Sequence, residues 1–201
     1  MSTTNNNNNN NNESNEQNVG IRISATPNPN AWKFVLTQAV LTTGKATYSD
    51  PETCTNIPLA YDLLQLRGIT QIHFFSNVIT ITHNEEVDIE DIRELVCAVI
   101  NRDIKMHNPN PAPEVKKGKS RENLSPEILE IEEILDRTIR PGLQGDGGDI
   151  EIVKYENDEL WIYYEGACGT CPSATQGTLM AIESILKDEL QKEITVIPVN
   201  G

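Results

Sequence analysis

Apolar and polar positions alternate with a period of two in several short stretches of the first half of the chain, which predicts β-strands. Ala31–Leu36 is the first of these stretches, and a further short strand is expected at Lys45–Tyr48. The β-branched runs "ITQIHFF" and "VITITH" follow, with only Ser76 and Asn77 between them. Two such runs separated by two turn-forming residues predict a β-hairpin.

Helical spacing of apolar residues predicts two helices in the same half. The first lies in "NIPLAYDLLQLRG", with Asn56 as its N-cap, Pro58 in its first turn and Gly68 at its end. The second lies in "DIEDIRELVCAVINR", where Asp88 is the expected cap. Its apolar face repeats at helical intervals through Ile89, Ile92, Val96 and Val99.

The second half repeats this mixture of helices and strands. Ser125 and Pro126 predict a helix start, and residues 140–142 are expected to stop that helix. The alternating runs "DIEIVKY" and "ELWIYYE" predict a second hairpin, which leads into a cysteine loop, a helix and a last strand, "ITVIPV". The predicted fold class is therefore α+β, with two small α+β domains that carry helices on one face of a sheet.

Composition divides the chain into four parts. Residues 1–19 contain an unbroken asparagine run and are predicted to be a disordered tail, because they offer no apolar surface to bury. The proline- and lysine-rich stretch from His107 has no helical or strand period, which is typical of a flexible linker. The predicted domains are 20–106 and 121–201, joined by the linker 107–120.

The charge balance and the apolar content narrow the possible partners. The net charge is −14, which argues against nucleic acid because a duplex-binding protein needs a basic face. No apolar run approaches the roughly 18 residues that would span a membrane. The tail has neither the arginines nor the amphipathic stripe of a transit peptide, so a cytoplasmic protein with reduced thiols is expected.

The main candidate for chemistry is the loop "GACGTCPSATQGTL", which contains Cys168 and Cys171. Pro172 suits the first position of a helix, which places Cys171 near an N-cap, where the helix dipole favours a thiolate. The small residues around both sulfurs leave them open to metals or oxidants. The loop itself allows three interpretations: inert packing, a thiol–disulfide pair and a metal site.

The number of available ligands bears on the interpretation of the loop as a metal site. The second domain contains two cysteines and no histidine, whereas zinc and iron–sulfur clusters usually take four ligands. Two chains that each supply Cys168 and Cys171 would complete such a site, which predicts a bridged dimer with the pair near the surface. Cys54 and Cys97 lie on separate elements across the linker and are not expected to take part.

Two pairs of motifs carry a resemblance to a known family. "IRPGLQGDGGDIEIV" followed by the cysteine loop makes residues 127–197 similar to the C-terminal domain of NifU, the module shared by Nfu-type iron–sulfur proteins. "TPNPNAWKF" and "IPLAYDLLQLRGITQIHFFSNVITITH" make residues 26–102 similar to the Nfu N-terminal domain. The chain thus resembles an Nfu-type iron–sulfur cluster scaffold or carrier protein.

The resemblance implies a specific activity. A protein of this family receives clusters from upstream donors and delivers them to apo iron–sulfur proteins, and it is not an enzyme. In the family the pair matched by Cys168 and Cys171 holds a [4Fe–4S] cluster between the two subunits of a homodimer, and a [2Fe–2S] form is left open. The alternatives from the residues alone are a thiol–disulfide oxidoreductase that uses the same pair and a zinc-bridged structural dimer.

Other polar and aromatic residues are expected to have structural roles. Asp146 and Asp149 flank two glycines that suit a tight turn, and two carboxylates alone make a weak metal site. His73 and His83 have no matched partner in the sequence and are expected to be ordinary surface or packing residues. Sheet packing accounts for the aromatic residues before the loop, Trp161, Tyr163 and Tyr164.

Overall fold

The computed structural model describes residues 18–110, 125–169 and 172–199, without the side chains of residues 172–175. It contains a five-stranded sheet in the first half of the chain and a three-stranded sheet in the second. Helices accompany each sheet, so the predicted class of two small α+β units is confirmed. The predicted tail up to residue 17, most of the predicted linker and Cys171 lie outside the described residues.

The first sheet is antiparallel throughout and has the strand order β1-β2-β5-β4-β3. Its strands are β1 (Ile21–Ala25), β2 (Ala31–Leu36), β3 (Lys45–Tyr48), β4 (Ile69–Phe75) and β5 (Val78–His83). The predicted hairpin at Ser76 and Asn77 is confirmed by the pairing of β4 with β5. Strand β1 was not predicted, because its five residues lie directly after the asparagine-rich tail and alternate too briefly to stand out.

One face of this sheet packs against two helices, α1 (Pro58–Leu64) and α2 (Ile89–Asp103), to form the first core. Asp88 caps α2 as predicted, because its carboxylate accepts a hydrogen bond of 3.0 Å from the backbone N–H of Glu90. The predicted cap of α1 is wrong. Ile57 occupies the cap position without a side-chain hydrogen bond, and the helix relies on Pro58 in its first turn.

The second sheet has the strand order β6-β7-β8, with β6 antiparallel and β8 parallel to the central β7. The elements of this half are α3 (Pro126–Thr138), α4 (Arg140–Gly145), β6 (Gly148–Glu156), β7 (Glu159–Gly166), α5 (Pro172–Leu190) and β8 (Thr195–Val199). Ser125 caps α3 as predicted, with its hydroxyl 3.3 Å from the N–H of Ile128. Residues 140–142 do end α3, but they also begin the short helix α4, because Pro141 is well tolerated in a first turn.

The face of the first sheet that points away from its core carries a row of mainly polar side chains. Thr47 on β3 pairs with His73 on β4, His73 pairs with Thr80 on β5, and Thr80 pairs with Lys33 on β2. These four residues, called here the polar row, run straight across four strands. Thr80 and His73 are 1% exposed, although neither belongs to the first core.

The second domain covers the polar row. Strands β4 and β5 contact β7, and the β6 and β7 ends nearest the cysteine loop face the row. Lys45 reaches from β3 to the backbone carbonyl of Ile150, at 2.7 Å, and Lys33 donates to the carbonyl of Gly145. The two domains are therefore in direct contact at the end of the second domain that carries Cys168.

Candidate metal centre

Cys168 lies in the loop between β7 and α5 and turns its side chain into the second domain. The residue is 7% exposed and belongs to the second core, together with Ile150, Leu160 and Ile162. Its sulfur occupies the space beside Gly148, where a β-carbon would stand only 2.3 Å away. The expectation that the cysteine pair is open to solvent is therefore wrong for Cys168, because a glycine leaves a niche in the core. Cys171 lies outside the described residues.

A Cys168 charge is among the causes that raise the pKa of the Tyr164 phenol. Burial raises the pKa of Tyr164 to about 12, the negative charge of a Cys168 thiolate adds to this rise, and a hydrogen bond with Thr178 opposes it. The phenol is therefore protonated at neutral pH. It offers a hydrogen-bond donor, and no negative charge, to the surroundings of the sulfur.

The backbone around Cys168 is held by residues of both domains. Ala167 donates its N–H to the carbonyl of Gly147 at 3.1 Å, which ties the loop to the start of β6. The carbonyl of Ala167 accepts a hydrogen bond of 2.9 Å from the side-chain amide of Asn28, which is 2% exposed. The residue directly before the candidate ligand is thus fixed by a buried side chain from the other domain.

A buried charge network lies just before the loop. The Lys45 ammonium is 2.6 Å from a Glu165 carboxylate oxygen and 3.4 Å from Asp149, and both carboxylate side chains are 2% exposed. A buried carboxylate is costly unless it is paired and hydrogen-bonded. Lys45 meets this need for both acids, so a first-domain cation compensates the buried charge of the second domain.

Arg140 supports the same network from within the second domain. Its guanidinium is 3.4 Å from Asp149 and 2.6 Å from Glu132. Burial lowers the pKa of Arg140, but the hydrogen bonds and charges of Glu132, Asp136 and Asp149 raise it by more, so the net shift is upward. Asp149 is therefore an ion-pair partner. Gly147 has a φ of +85°, a conformation that glycine adopts readily, which fits the tight turn predicted there.

Thr47 and His73 connect the polar row to this network. The Thr47 hydroxyl donates to Glu165 at 3.0 Å and lies 2.8 Å from Nδ1 of His73. Because the hydroxyl proton goes to the carboxylate, Nδ1 carries the proton that it donates to Thr47. The expectation that His73 is a packing residue is confirmed, because its buried ring lies against Gly166 of the cysteine loop. Its link through Thr47 to Glu165 was not predicted.

The structure does not bring the remaining candidates into this site. Cys54 is fully buried and Cys97 is half-buried, and both pack in the first core, whereas Cys168 belongs to the second. His83 is 7% exposed and hydrogen-bonds the carbonyl of Asn84 through Nδ1, at 2.9 Å. Within residues 18–110, 125–169 and 172–199, no three His, Cys, Asp or Glu side chains are grouped as a metal would require.

Sequence reasoning missed the first-domain residues that meet the loop: Asn28, Lys45, Thr47 and His73. The sequence pattern contained this information, because Lys45, Thr47 and His73 each alternate with buried core residues along their strands. A polar face of an antiparallel sheet normally predicts solvent, so the pattern pointed away from an interface.

In the part of the chain that the structure describes, no helix is long and apolar enough to cross a membrane.

Several curated relatives resemble most of this chain. A human protein named "NFU1 iron-sulfur cluster scaffold homolog, mitochondrial" is 30% identical over 83% of this chain and 66% of its own length. NifU-like protein 4, mitochondrial, from Arabidopsis thaliana is 27% identical over 83% of this chain and 61% of its own length. A NifU-like protein from Schizosaccharomyces pombe is 28% identical over 91% of this chain and 74% of its own length. The chain thus spans less than two thirds of the human and plant proteins.

A solved structure gives a weaker likeness. The solution NMR structure of a NifU-like protein from Saccharomyces cerevisiae is 18% identical, covers 56% of this chain and 93% of its own, and has a TM-score of 0.44.

The relatives correct one prediction made from the sequence. The human and Arabidopsis proteins are named as mitochondrial, so the expectation of a cytoplasmic protein is wrong. That expectation relied on residues 1–19, whose asparagine-rich composition differs from a transit peptide. The composition of a short terminal stretch carries little weight against similarity over most of the chain.

Two family models match, one on each domain. Residues 21–107 match the model described as "Scaffold protein Nfu/NifU N terminal", and residues 131–197 match the "NifU-like domain". The second match contains the cysteine loop and the strand pair that precedes it, and the first contains Asn28 and the polar row. With both models matched in this order and relatives that bear the same family names, the chain belongs to the Nfu-type family of NifU-like proteins.

Proposed function

We propose that this protein is an iron–sulfur cluster scaffold or carrier, which binds a [4Fe–4S] cluster as cargo and passes it to apo iron–sulfur proteins. The observation that carries the proposal is the position of Cys168, at the end of β7 in a domain that matches the NifU-like model. The printed name of the human relative, an iron–sulfur cluster scaffold homolog, supports the same activity. Because the relatives named as mitochondrial match most of this chain, we place the activity in mitochondria.

The number of thiols determines the form of the complex. Each chain supplies Cys168 and Cys171 in the second domain, which contains no other cysteine and no histidine. A cubane cluster takes four protein ligands, so two chains share one cluster and form a homodimer through it. A [2Fe–2S] cluster, which also takes four ligands, would be held in the same way.

The residues near the loop suit a cluster that is held and then released. The first residue of α5 is Pro172, and the positive end of a helix favours a thiolate on a cysteine that precedes it. The neutral phenol of Tyr164 adds no negative charge beside the sulfur of Cys168. Transfer to a target then requires only that the target's thiolates replace these ligands one at a time, with no net redox change.

This function involves binding and transfer and no catalytic turnover. The competing enzyme hypothesis, a thiol–disulfide oxidoreductase, uses the same two cysteines but binds no iron. Under the third hypothesis, a zinc-bridged dimer would keep its metal but be colourless. Iron and sulfide content and visible absorption therefore separate the three hypotheses in one preparation.

The test is anaerobic reconstitution of the full chain with ferrous iron and sulfide, followed by size-exclusion with light scattering and metal analysis on the same fractions. A brown dimer with four irons and four sulfides per two chains is expected. Cys168→Ser and Cys171→Ser should each abolish both the colour and the dimer, because serine is a poorer ligand for such clusters. A monomer with four irons per chain, or a dimer that keeps its cluster in these variants, would contradict the proposal.

A further inference from the structure

The turn between β1 and β2 is held by its own hydrogen bonds. It covers residues 26–30, the "TPNPN" part of the motif that resembles the Nfu N-terminal domain, and its two prolines restrict the backbone. The backbone N–H of Asn28 donates to the Thr26 hydroxyl at 3.1 Å, and the N–H of Ala31 donates to the Asn28 carbonyl at 3.0 Å. Asn28 is therefore fixed in its own domain before it meets the second.

The orientation of the Asn28 amide follows from its partners. Its side-chain oxygen accepts a hydrogen bond of 2.9 Å from the N–H of Asn30, so its nitrogen is the end that faces the second domain. That nitrogen donates to the carbonyl of Ala167 at 2.9 Å, and Asn28 is only 2% exposed. Loss of this bond would leave a buried carbonyl without its donor from the first domain, which is costly.

The acceptor lies at the centre of a β-turn that contains the candidate ligand. The N–H of Gly169 donates to the carbonyl of Gly166 at 3.1 Å, so residues 166–169 form a hydrogen-bonded turn with Ala167 and Cys168 in the middle. The peptide between the two middle residues is the one whose rotation distinguishes the turn types. Asn28 holds this peptide by its oxygen.

The direction of the Cys168 N–H depends on that peptide. Because the peptide is trans, the N–H points away from the carbonyl that Asn28 holds. A β-carbon on Gly148 would lie 2.9 Å from the nitrogen of Cys168 and 2.3 Å from its sulfur, so the amide nitrogen and the thiol lie together. Rotation of the peptide would replace the N–H on this side by the carbonyl oxygen.

The backbone conformation opposes complete reversal of this peptide but not smaller rotations. Reversal would require a positive φ at Cys168, which residues other than glycine resist. Cys168 is not one of the described residues with a positive φ. Smaller rotations carry no such penalty, and the hydrogen bond from Asn28 restrains them.

The contact that keeps Asn28 within reach is polar and close-fitting. The Lys45 ammonium is 2.6 Å from Glu165, the residue directly before the turn. A β-carbon on Gly166 would come within 3.1 Å of the His73 ring, so the first residue of the turn lies directly against the first domain. The first domain thus holds the turn at its first residue and at its central peptide.

We propose that Asn28 is a positioning residue for Cys168, which orients the N–H of the candidate ligand by holding the preceding carbonyl from the other domain. The effect on the cargo rests on the proposed function, whereas the orientation of the peptide does not. Backbone N–H groups near the sulfurs of an iron–sulfur cluster raise its reduction potential, because they stabilise the added electron. A carbonyl oxygen in the same place has the opposite effect, since its partial charge is negative.

Two substitutions remove the hydrogen bond without adding a charge. Asn28→Ala removes the whole amide. Asn28→Ser keeps a hydroxyl that can accept from the N–H of Asn30 but is too short to reach Ala167. Asn77→Ala is the matched control, because the Asn77 amide also donates to a backbone carbonyl, that of Leu36 at 2.7 Å, but within the first domain.

The first measurement is nuclear magnetic resonance of the full, isotope-labelled, reduced and metal-free chain. The carbonyl carbon of Ala167 should move upfield in both Asn28 variants, because it loses a hydrogen-bond donor, and the amide nitrogen of Cys168 should shift with it. Both resonances should stay at their wild-type positions in Asn77→Ala. The proposal is overturned if neither Asn28 variant moves them further than this control does. Unfolding of the first domain in both variants would also contradict it, since Asn28 would then serve its own turn.

The second measurement is the reduction potential of the cluster after anaerobic reconstitution with iron and sulfide. The potential should be more negative in both Asn28 variants than in the wild type and in Asn77→Ala. A residue that only stabilised the fold would lower the iron content and leave the potential of the remaining clusters unchanged. Shifted resonances with an unchanged potential would overturn the effect on the ligand. A wild type that takes up no iron refutes the carrier, and the resonances alone then decide whether Asn28 orients the peptide.

Discussion

The sulfur of Cys168 and the α-carbon of Gly148 share one small niche, in which a β-carbon on Gly148 would lie 2.3 Å from the sulfur. Such a distance is far shorter than any van der Waals contact between carbon and sulfur. Gly148 is also the first residue of β6 and pairs with Gly166, the last residue of β7. The start of the sheet therefore sets the position of the candidate ligand directly.

Gly148→Ala should move Cys168 or destabilise the domain. A methyl group in this niche is overpacking, which typically costs about 1–3 kcal/mol of the free energy of unfolding. Chemical denaturation measures this loss, and the alkylation rate of Cys168 shows whether the sulfur has moved outward. Unchanged stability together with an unchanged rate would show that the niche is not filled as described.

Gly142→Ala is the matched control for this substitution. It adds the same methyl group in α4, where nothing lies within 4 Å of the new β-carbon. Alanine should stabilise that helical position by about 0.4–1 kcal/mol, because it restricts the unfolded chain more than glycine does.

Substitution of the two first-domain cysteines should leave the iron content unchanged. Cys54 and Cys97 pack in the first core and are not grouped with Cys168. Cys54→Ser should cost about 1 kcal/mol or more of stability, since it puts a hydroxyl in a fully buried position. Reconstitution of the double variant with iron and sulfide measures the content. A loss of half the iron would indicate a site within one chain.

The number of candidate ligands in the loop could be counted from the sequence, whereas the surroundings of Cys168 could not be predicted. The spacing of Cys168 and Cys171 and the absence of histidine from the second domain gave the ligand count without any coordinates. The burial of Cys168 was not predictable, because it depends on a niche at Gly148 that is formed by residues 20 positions apart. Small residues in a loop are equally compatible with an open sulfur and with one that fits into the backbone.

The strands and helices were predicted where local patterns determine them. Asp88 and Ser125 cap their helices through their own side chains, and Ser76 and Asn77 turn the first hairpin. Lys45 pairing with Glu165, 120 positions away, follows from domain docking, which period-two alternation does not reveal. The same alternation describes a polar face in water and a polar face against another domain.

His107 should make the first domain less stable at mildly acidic pH. Burial lowers the pKa of His107 below its ordinary value of 6.5, although its hydrogen bond to the Val40 carbonyl raises it in part. The unfolded chain therefore takes up a proton more readily than the folded one. The stability that neutral His107 contributes is complete above about pH 6.5 and is lost as the pH falls below that value.

The test compares wild type with His107→Gln. Glutamine keeps an N–H donor for the Val40 carbonyl, which lies 2.8 Å from Nε2 of His107, and it does not titrate. The melting temperature of the wild type should fall more steeply between about pH 7.5 and 5.5 than that of the variant. Identical slopes would mean that His107 titrates alike in the folded and unfolded chains.

A fragment of residues 121–201 should fold and bind the cluster without the first domain. Its core is closed by its own side chains, among them Ile131, Leu135, Ile150, Leu160, Ile162, Ile182 and Leu186. Loss of Lys45 removes the partner of Glu165, but it also uncovers that carboxylate, and water then replaces the ion pair at small cost. Circular dichroism and iron analysis after reconstitution measure both properties.

The fragment carrying Cys168→Ser is the control, which should fold alike and take up no iron. An unfolded fragment would show that the second core depends on the polar row. A folded fragment that takes up no iron, while the full chain does, would place at least one cluster ligand in the first domain.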